Sequence, residues 1–378
     1  MPGKTSDICM SCKVAPATDT VRKRNLCRHC FLMFIGSKVV MEKYRPRDAP
    51  KDRQRKLLLP LSYGISSSTL LHILNLQLER QIANGRGRRA YDLHILNVGI
   101  SGQPDSQRLN SFQEAYPLHT YTQVSLHSIF QYDTTIRDVI SAYAGPEFTD
   151  DTSKTDEERL ESFRSSLSTA TSRTDIDAVL LTRLVVAVAN EQQCEAILWG
   201  DSDSRLASKA LANVAKGRGF SVPWDVCDGM SPWGIQFNFP LRDLFRFELS
   251  HYASVALPKS LAVVDSEPPS VDNLSNRNVS IEDLMSHYVE TQGAKYPGIM
   301  ANIVRTIDKL EAPPADAGSK CVLCGMPVDK SGEDPATLDG PGGSQYVLKD
   351  TRERPMNGTL CYGCARSRLD LISPTSAP

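Results

Sequence analysis

Eight of the ten cysteines in this 378-residue chain stand in four Cys-x-x-Cys pairs, two near each end of the sequence. The pairs are Cys9/Cys12, Cys27/Cys30, Cys321/Cys324 and Cys361/Cys364. Two such pairs together offer four thiolates, the soft donor set that tetrahedral zinc sites use. The spacing therefore predicts two structural metal sites, which most simply hold two zinc ions.

The two predicted sites differ in the length of chain between their pairs. Fourteen residues separate the N-terminal pairs, a spacing typical of zinc knuckles. The alternatives are a redox site, which needs only one Cys-x-x-Cys pair, and an iron–sulfur cluster, which usually has other cysteine spacings. His29 is an alternative to one thiolate there. The C-terminal pairs are 36 residues apart, so an ion shared with a second chain is the alternative at that end.

Positive charge is concentrated near the N-terminus, although the whole chain has a net charge of -1. Residues 13–56 contain thirteen Lys or Arg and four acidic residues, a net charge of +9 that fits a polyanion such as RNA. The candidate RNA contacts are Arg22, Lys23, Arg24, Arg28, Lys38, Lys43 and Arg45. A second basic stretch contains Arg205, Lys209, Lys216 and Arg218. A solvated helix face is the simpler interpretation of either run taken alone.

The composition is that of a globular protein, with 40% hydrophobic and 23% charged residues. The sequence has no apolar stretch of about 18 residues, and Met1–Cys9 lacks the apolar core of a signal peptide. We therefore expect a cytoplasmic protein without a membrane partner. Thiols stay reduced in that compartment, which favours metal ligands over disulfides.

Hydrophobic patterning divides the middle of the chain into alternating strands and helices. An apolar run at 56–61 is followed by a turn and an apolar-periodic segment, which predicts strand, turn and helix. Further strands are predicted over 91–100 and 194–200, with a long helix over 175–192. This alternation is typical of a parallel α/β sheet with helices on both faces. We divide the chain into a zinc-binding basic segment (1–45), an α/β domain (46–312) and a second zinc-binding segment (313–378).

The turn after the first strand stands where a phosphate-binding loop would stand. Such a loop needs glycines, so that backbone N–H groups can approach the phosphate in front of a helix N-terminus. The turn has one glycine, Gly64, beside the bulky Tyr63. An ordinary helix start capped by Ser66 or Ser67 is the simpler interpretation of the spacing.

Several sequence blocks, taken together, resemble one known family. They are Cys9-Met10-Ser11-Cys12-Lys13, Asn25-Leu26-Cys27-Arg28-His29-Cys30-Phe31, the Ser62 loop, Trp199-Gly200-Asp201, Ala215-Lys216-Gly217-Arg218-Gly219, Pro240-Leu241-Arg242-Asp243 and Cys361-Tyr362-Gly363-Cys364. Their joint order is similar to that of the cytoplasmic tRNA 2-thiolation protein 2 family over most of the chain. The resemblance implies a PP-loop ATP-pyrophosphatase-like (adenine nucleotide alpha hydrolase-like) domain flanked by zinc knuckles.

The resemblance also implies a changed phosphate loop. Related enzymes that adenylate a tRNA base before sulfur transfer carry the loop Ser-Gly-Gly-x-Asp-Ser. That pattern falls on Ser62, Tyr63, Gly64, Ile65, Ser66 and Ser67. Tyr63 replaces a glycine, and Ser66 replaces the acidic residue expected beside the nucleotide and its metal. Ser62, Gly64, Ser66 and Ser67 therefore form a vestigial cofactor site by this resemblance; adenylation by ATP is not expected, and weak anion binding stays open.

The active relatives carry catalytic cysteines as well, in a Cys-x-x-Cys pair before the long helix and near the Pro-Leu-Arg segment. The corresponding stretches here, 171–175 and 236–239, contain no thiol. The thiolate is the species that accepts and holds sulfur. We therefore assign no catalytic residue to this chain.

The function implied by the resemblance is that of a non-catalytic subunit in a heterodimer with a homologous catalytic thiolase. The complex would 2-thiolate the wobble uridine of cytosolic tRNAs for lysine, glutamate and glutamine, giving 5-methoxycarbonylmethyl-2-thiouridine. Sulfur would come from the thiocarboxylate of a ubiquitin-related modifier protein. The alternatives are a stand-alone ATP-dependent tRNA thiolase and a zinc-ribbon protein adaptor.

Overall fold

The apolar run that follows the N-terminal basic segment forms an inner strand of a six-stranded sheet. The structure, a computed structural model, describes residues 8–44, 53–86, 89–100, 104–144, 148–264, 278–310, 320–328 and 359–368. Its strands are β1 (Asp19–Val21), β2 (Arg24–Leu26), β3 (Arg55–Pro60), β4 (Tyr91–Gly99), β5 (Thr120–Ser125), β6 (Ala196–Leu198), β7 (Gly229–Met230) and β8 (Gln236–Asn238). The strand order is β5-β4-β3-β6-β8-β7, and β1 pairs with β2 in a separate hairpin.

The pairing of the strands confirms the predicted parallel α/β fold. β3 runs parallel to both β4 and β6, β4 runs parallel to β5, and β6 runs parallel to β8. Only the two-residue edge strand β7 is antiparallel to its neighbour within the described sheet. Parallel strands need crossover connections, and helices supply them here.

Helices connect the strands and flank both zinc-knuckle candidates. They are α1 (Arg28–Lys38), α2 (Ile65–Gln81), α3 (Ser106–Ala115), α4 (Ile129–Tyr132), α5 (Ile136–Ala144), α6 (Asp156–Ser165), α7 (Ala170–Glu191), α8 (Asp203–Ala215), α9 (Val222–Val226), α10 (Arg246–Ala256), α11 (Ile281–Lys295), α12 (Pro297–Ile307) and α13 (Tyr362–Arg368). None of the described helices is long and apolar enough to cross a membrane.

Two helix starts differ from the sequence-based predictions. α7 begins five residues before the predicted Asp175, because the side chain of Thr169 caps it by accepting a hydrogen bond from the Ser172 N–H. α2 begins at Ile65 with Gly64 as the N-cap, so the prediction of a Ser66 or Ser67 cap was wrong. The Ser67 hydroxyl is turned to donate to the Gly64 carbonyl at 3.2 Å.

Side chains of the inner strands alternate between two hydrophobic cores, one on each face of the sheet. Leu58 of β3 packs into the core that contains α7 and α8, whereas Leu57 and Leu59 pack into the core that contains α2 and α10. Each of these leucines is almost fully buried, which stabilises the fold by about 1.5–3 kcal/mol per side chain. Helices therefore cover both faces, as the sequence predicts.

Each terminal knuckle packs against a different core. Cys9 and Phe31 of the N-terminal knuckle belong to the core with α2, and Leu323 and Cys364 of the C-terminal knuckle belong to the core with α7. The knuckles are therefore continuous with the packing of the α/β body. The boundaries of the proposed three-part division stay predictions.

Candidate metal centres and the loop after the first sheet strand

The four N-terminal cysteines converge on one point. Cys9 and Cys12 lie in the turn before β1, Cys27 is the N-cap of α1 and Cys30 is in its first turn. Their sulfurs all lie within 4.8 Å of one another, and the Sγ atoms of Cys12 and Cys27 are 3.9 Å apart. A tetrahedral zinc ion with Zn–S bonds of about 2.3 Å holds its sulfurs about 3.8 Å apart. The geometry fits one tetrahedral ion.

The four C-terminal cysteines also converge, despite the 36 residues between their pairs. Their sulfurs lie within 4.8 Å of one another, and Cys324 Sγ is 3.7 Å from Cys361 Sγ. A four-iron cluster would stand between its thiolates and hold them further apart, so a single ion fits better. One chain supplies all four donors, and sharing with a second chain is not needed. Most of the intervening segment, 329–358, lies outside the described residues.

Arg183 of α7 holds the first C-terminal pair against the α/β body. Its guanidinium donates to the carbonyls of Val322 at 3.3 Å and Leu323 at 2.9 Å. The same group pairs with Asp133 at 2.7 Å and lies over the Trp233 ring, 5.1 Å from its centre. These contacts fix the turn that carries Cys321 and Cys324.

Half of the second basic stretch is buried, contrary to the predicted basic surface. Lys216 and Arg218 are each less than a tenth exposed. Lys216 pairs with Asp175 at 2.9 Å, and Arg218 pairs with the same carboxylate at 2.5 Å. Arg218 also donates hydrogen bonds to the sulfurs of Cys361 and Cys364. These two cations neutralise buried anions and are not available to a nucleic acid.

The predicted RNA contacts of the N-terminal segment fall into two groups. Lys23 and Arg24 lie exposed at the β1–β2 hairpin. Arg22, in contrast, makes two hydrogen bonds to the buried carboxylate of Glu248, at 2.7 and 2.9 Å, and lies over the Phe245 ring. Its guanidinium fixes the hairpin to α10.

The remaining candidate RNA contacts of this segment make fewer contacts with the rest of the protein than Arg22 does. Arg28 is about half exposed and pairs with Asp19 at 3.2 Å, Lys38 lies over the Phe34 ring, and Lys43 pairs with Asp228 at 3.4 Å. His29 is exposed on α1 and stands outside the four-sulfur group. Arg45 lies outside the described residues. The assignment of these side chains to RNA stays a prediction.

The loop after β3 contains a tyrosine whose side chain packs into the neighbouring core. Tyr63 has a left-handed backbone, with φ of 59°, and its side chain is buried. The ring packs against Phe112 with 5.2 Å between centres, and the Arg108 guanidinium lies 5.3 Å from the ring centre. Burial raises the pKa of the Tyr63 hydroxyl to about 12. Glycine adopts such a left-handed backbone more readily than tyrosine does.

Neighbouring segments close in on this loop from two sides. The Val264 N–H donates to the Tyr63 carbonyl at 2.8 Å. Gly200, after β6, approaches so closely that a Cβ built on it would lie 2.8 Å from the Ser67 Cα. The hydroxyls of Ser62 and Ser67 are 3.2 Å apart and bond to each other. Ser62, Gly64, Ser66 and Ser67 thus lie together, and the Ser66 side chain offers no carboxylate.

The stretches where the resemblance implies catalytic thiols hold other groups. Ser172 and Asp175 lie buried in the first turns of α7, and residues 236–238 form β8. The two cysteines outside the metal groups, Cys194 and Cys227, are unsuited to nucleophilic chemistry at neutral pH, because burial raises the pKa of each thiol to about 11. Cys194 is buried beside β6, in agreement with its expected packing role.

A charged cavity of about 210 Å³ lies beside the carboxyl ends of β6 and β8, and the sequence did not indicate it. Its lining includes Arg22, Lys43, Asp203, Asp228, Arg242 and Arg305. These residues come from well-separated parts of the chain, and no local spacing connects them. Asp203, at the start of α8, is buried, and this raises the pKa of its carboxyl to about 7.

Comparison with known proteins agrees with the resemblance. The model of the family described as cytoplasmic tRNA 2-thiolation protein 2 matches residues 280–366. A protein of that name from Ajellomyces capsulatus is 77% identical over 346 residues, covering 91% of this chain and 96% of its own length. A second, from Coccidioides immitis, is 53% identical and covers 97% of this chain and 99% of its own length.

A solved structure shares the fold. The U34-tRNA thiolase NcsA from Methanococcus maripaludis, solved with its four-iron, four-sulfur cluster, matches 86% of this chain and 94% of its own, with a TM-score of 0.55 and 18% identity. The match confirms the PP-loop-type α/β architecture. The identity and the nearly complete coverage of the two fungal relatives go further, and with them this chain belongs to the cytoplasmic tRNA 2-thiolation protein 2 family.

Proposed function

We propose that this protein takes part in tRNA 2-thiolation as the non-catalytic subunit of a heterodimer. Its homologous partner would adenylate and thiolate the wobble uridine of cytosolic tRNAs for lysine, glutamate and glutamine. The family name and the thiolase-like fold support the role in thiolation and its cytoplasmic location. The product would be 5-methoxycarbonylmethyl-2-thiouridine, with sulfur from a thiocarboxylated ubiquitin-related modifier.

The observation that carries the non-catalytic assignment is the presence of Tyr63, with its ring buried in the neighbouring core, at the loop position where the related enzymes have a glycine. A phosphate loop works because bare backbone N–H groups surround the phosphate. Here an aromatic ring and the Arg108 guanidinium are packed together at the loop. Ser66 gives no carboxylate for a nucleotide-bound metal, and Ser172 and Asp175 stand where sulfur-handling thiols are expected. Adenylation and sulfur transfer thus each lack a required group.

The chain's own contribution would be binding and positioning. The exposed Lys23 and Arg24 supply positive charge for the tRNA backbone, and the two four-cysteine groups each hold one zinc ion. Zinc supplies cross-links between chain segments, and its binding energy becomes folding energy of the knuckles. No chemical step is assigned to either ion.

Reconstitution tests this proposal. We would purify the full chain and its presumed thiolase partner, and measure 2-thiouridine in digested tRNA by mass spectrometry, with each protein alone and with both together. The expected result is thiolation only by the pair. Thiolation by this chain alone would establish the stand-alone enzyme, and full activity of the partner alone would remove the proposed subunit role.

A variant of the loop sharpens the same experiment. Tyr63→Gly combined with Ser66→Asp restores the related loop pattern without restoring any thiol. This variant alone is expected to form no thiolated tRNA, because the sulfur-holding groups are still absent. Thiolation by it would show that the thiols are dispensable and would contradict the assignment.

A further inference from the structure

The four ligands of the C-terminal metal site leave the bound ion and its thiolates with an uncompensated negative charge. A divalent ion with four thiolates has a net charge of -2, and Cys321, Cys324 and Cys364 are almost fully buried. A buried net charge is costly in a low-dielectric interior unless opposite charge and hydrogen bonds compensate it. A cation within reach of the sulfurs is therefore expected.

Arg218 is that cation. Its Nη2 donates to Cys364 Sγ at 3.3 Å, and its Nη1 donates to Cys361 Sγ at 3.6 Å. Its side chain is only 6% exposed, so water screens these contacts little. A planar guanidinium with several fixed donors suits two sulfurs better than an ammonium does.

The adjacent edge of the same guanidinium is anchored to α7. Arg218 Nε and Nη2 donate to the Asp175 carboxylate at 3.1 and 2.5 Å. Asp175 also accepts hydrogen bonds from Lys216 at 2.9 Å and from the Ser367 hydroxyl at 3.1 Å. Ser367 lies on α13 with Cys364. Asp175 of α7 is therefore connected to the metal-binding segment twice, through Arg218 and through Ser367.

Glycines make this close approach feasible. A Cβ built on Gly363 would overlap the Arg218 side chain, and one built on Gly217 would overlap the Tyr362 ring. Gly217 also has φ of 76°, in the left-handed region. The absence of side chains at Gly217 and Gly363 therefore lets the Lys-Gly-Arg-Gly stretch pack against the second cysteine pair.

We propose that Arg218 is a positioning residue of the C-terminal metal centre, which neutralises its thiolates and couples the bound ion to Asp175. Metal at this centre then stabilises the start of the long helix, at the place where active relatives are expected to hold catalytic thiols. The N-terminal centre provides an internal comparison, because Cys12 is exposed and Cys30 half-buried there.

Metal release measures this coupling. We would prepare the full chain with Cys9→Ser and Cys12→Ser, so that only the C-terminal centre binds zinc, and follow zinc transfer to a chromogenic chelator. Arg218→Met is expected to release zinc at least tenfold faster than this background, with Arg218→Lys between them. Arg205→Met, an exposed arginine of the same stretch, is the matched control and is expected to stay within twofold.

A spectroscopic readout separates positioning from a general loss of stability. In the cobalt-loaded protein, loss of N–H···S hydrogen bonds leaves the thiolates more electron-rich, so the sulfur-to-cobalt charge-transfer band should move to longer wavelength in Arg218→Lys. Unchanged release and an unchanged band in the Arg218 variants would overturn the proposal. Absence of bound metal in the background protein itself would overturn it as well, and would leave the thiolation role untouched.

Discussion

Tyr63 combines a strained backbone with a well-packed side chain. A left-handed conformation costs about 1–2 kcal/mol for a residue with a Cβ. Burial of the ring against Phe112 and beneath Arg108 offsets this cost. The tyrosine side chain therefore anchors the loop to the core, and the loop depends on it for stability.

Removal of the Tyr63 side chain should destabilise the protein without creating an enzyme. Tyr63→Gly relieves the backbone strain but leaves a hole, and we expect a net loss of about 2–3 kcal/mol in the free energy of unfolding. Tyr63→Phe keeps the ring and is expected to stay within about 1 kcal/mol of wild type. Urea unfolding gives both values. Increased stability of Tyr63→Gly, or ATP-to-AMP turnover by it, would contradict this account of the loop.

Asp203 should make the stability depend on pH. Its carboxyl has a pKa of about 7 in the folded chain against an ordinary value of 3.8. As the pH rises from about 4 to 7, the unfolded chain releases this proton while the folded chain keeps it, so folding becomes less favourable. This loss of folding stability is absent below about pH 4 and complete above about pH 7, where it amounts to about 4 kcal/mol.

Asp203→Asn removes this titration and tests the assignment. The difference in unfolding free energy between the variant and wild type should grow in favour of the variant between pH 4 and 8. Denaturant unfolding at four or five pH values measures it. A difference that stays constant with pH would mean that Asp203 ionises alike in both states.

At the scale of elements, the connection from α8 to the following turn matters most for the C-terminal knuckle. Gly217 ends this connection with a left-handed backbone against the Tyr362 ring of α13. Gly219, two residues on, has open space around its Cα and no left-handed backbone. The two glycines therefore lie in one motif but in different environments, so that the same substitution can be compared at both.

Substitution by alanine should separate the two glycines. Gly217→Ala is expected to lower the free energy of unfolding by about 2 kcal/mol, from backbone strain and overlap with Tyr362. Gly219→Ala should change it by less than about 0.5 kcal/mol. Urea unfolding of the metal-loaded chain checks both. Equal effects would contradict both the left-handed backbone at Gly217 and the packing of α13 on this turn.

At the scale of the whole molecule, the sheet holds one candidate metal centre on each side. Arg22 and Glu248 join the N-terminal hairpin to α10, while Arg183 and Arg218 join the C-terminal pairs to the other face. Of the candidate RNA contacts, Lys23 and Arg24 are exposed, and both lie on the N-terminal knuckle. We therefore expect the tRNA-binding surface to centre on that end.

Charge removal at the hairpin should weaken tRNA binding through its salt dependence. Lys23→Gln with Arg24→Gln is expected to lower tRNA affinity, and to reduce the slope of log affinity against log salt by about one unit per lost phosphate contact. Lys154→Gln, at an exposed lysine just before α6, is the control. Filter binding at several salt concentrations gives the slope. Wild-type protein without salt-dependent tRNA affinity would favour the protein-adaptor alternative.

The sequence predicted more of the fold than of the charge network. Alternating apolar runs were enough for the parallel sheet, and the strand at 56–61 lies within one residue of β3. The start of α7 was missed because the cap at Thr169 outweighs the apolar periodicity that begins near Asp175. The charged cavity gave no local signal at all, since its lining is assembled from distant segments.

By itself, the sequence determined the two sets of four thiols, the α/β class and the loss of the loop's glycine and carboxylate. The thiol sets and the α/β class are local information, carried by residue type and short spacing, whereas the changes in the loop follow from the resemblance to the related loop. Only the tertiary structure decided that the C-terminal pairs meet, that the Tyr63 ring is buried in the core, and that Lys216 and Arg218 face inward. Arg218 lies 146 positions from Cys364 and 43 from Asp175. Whether a cation faces a polyanion or a buried thiolate depends on neighbours that only folding brings within a few ångströms.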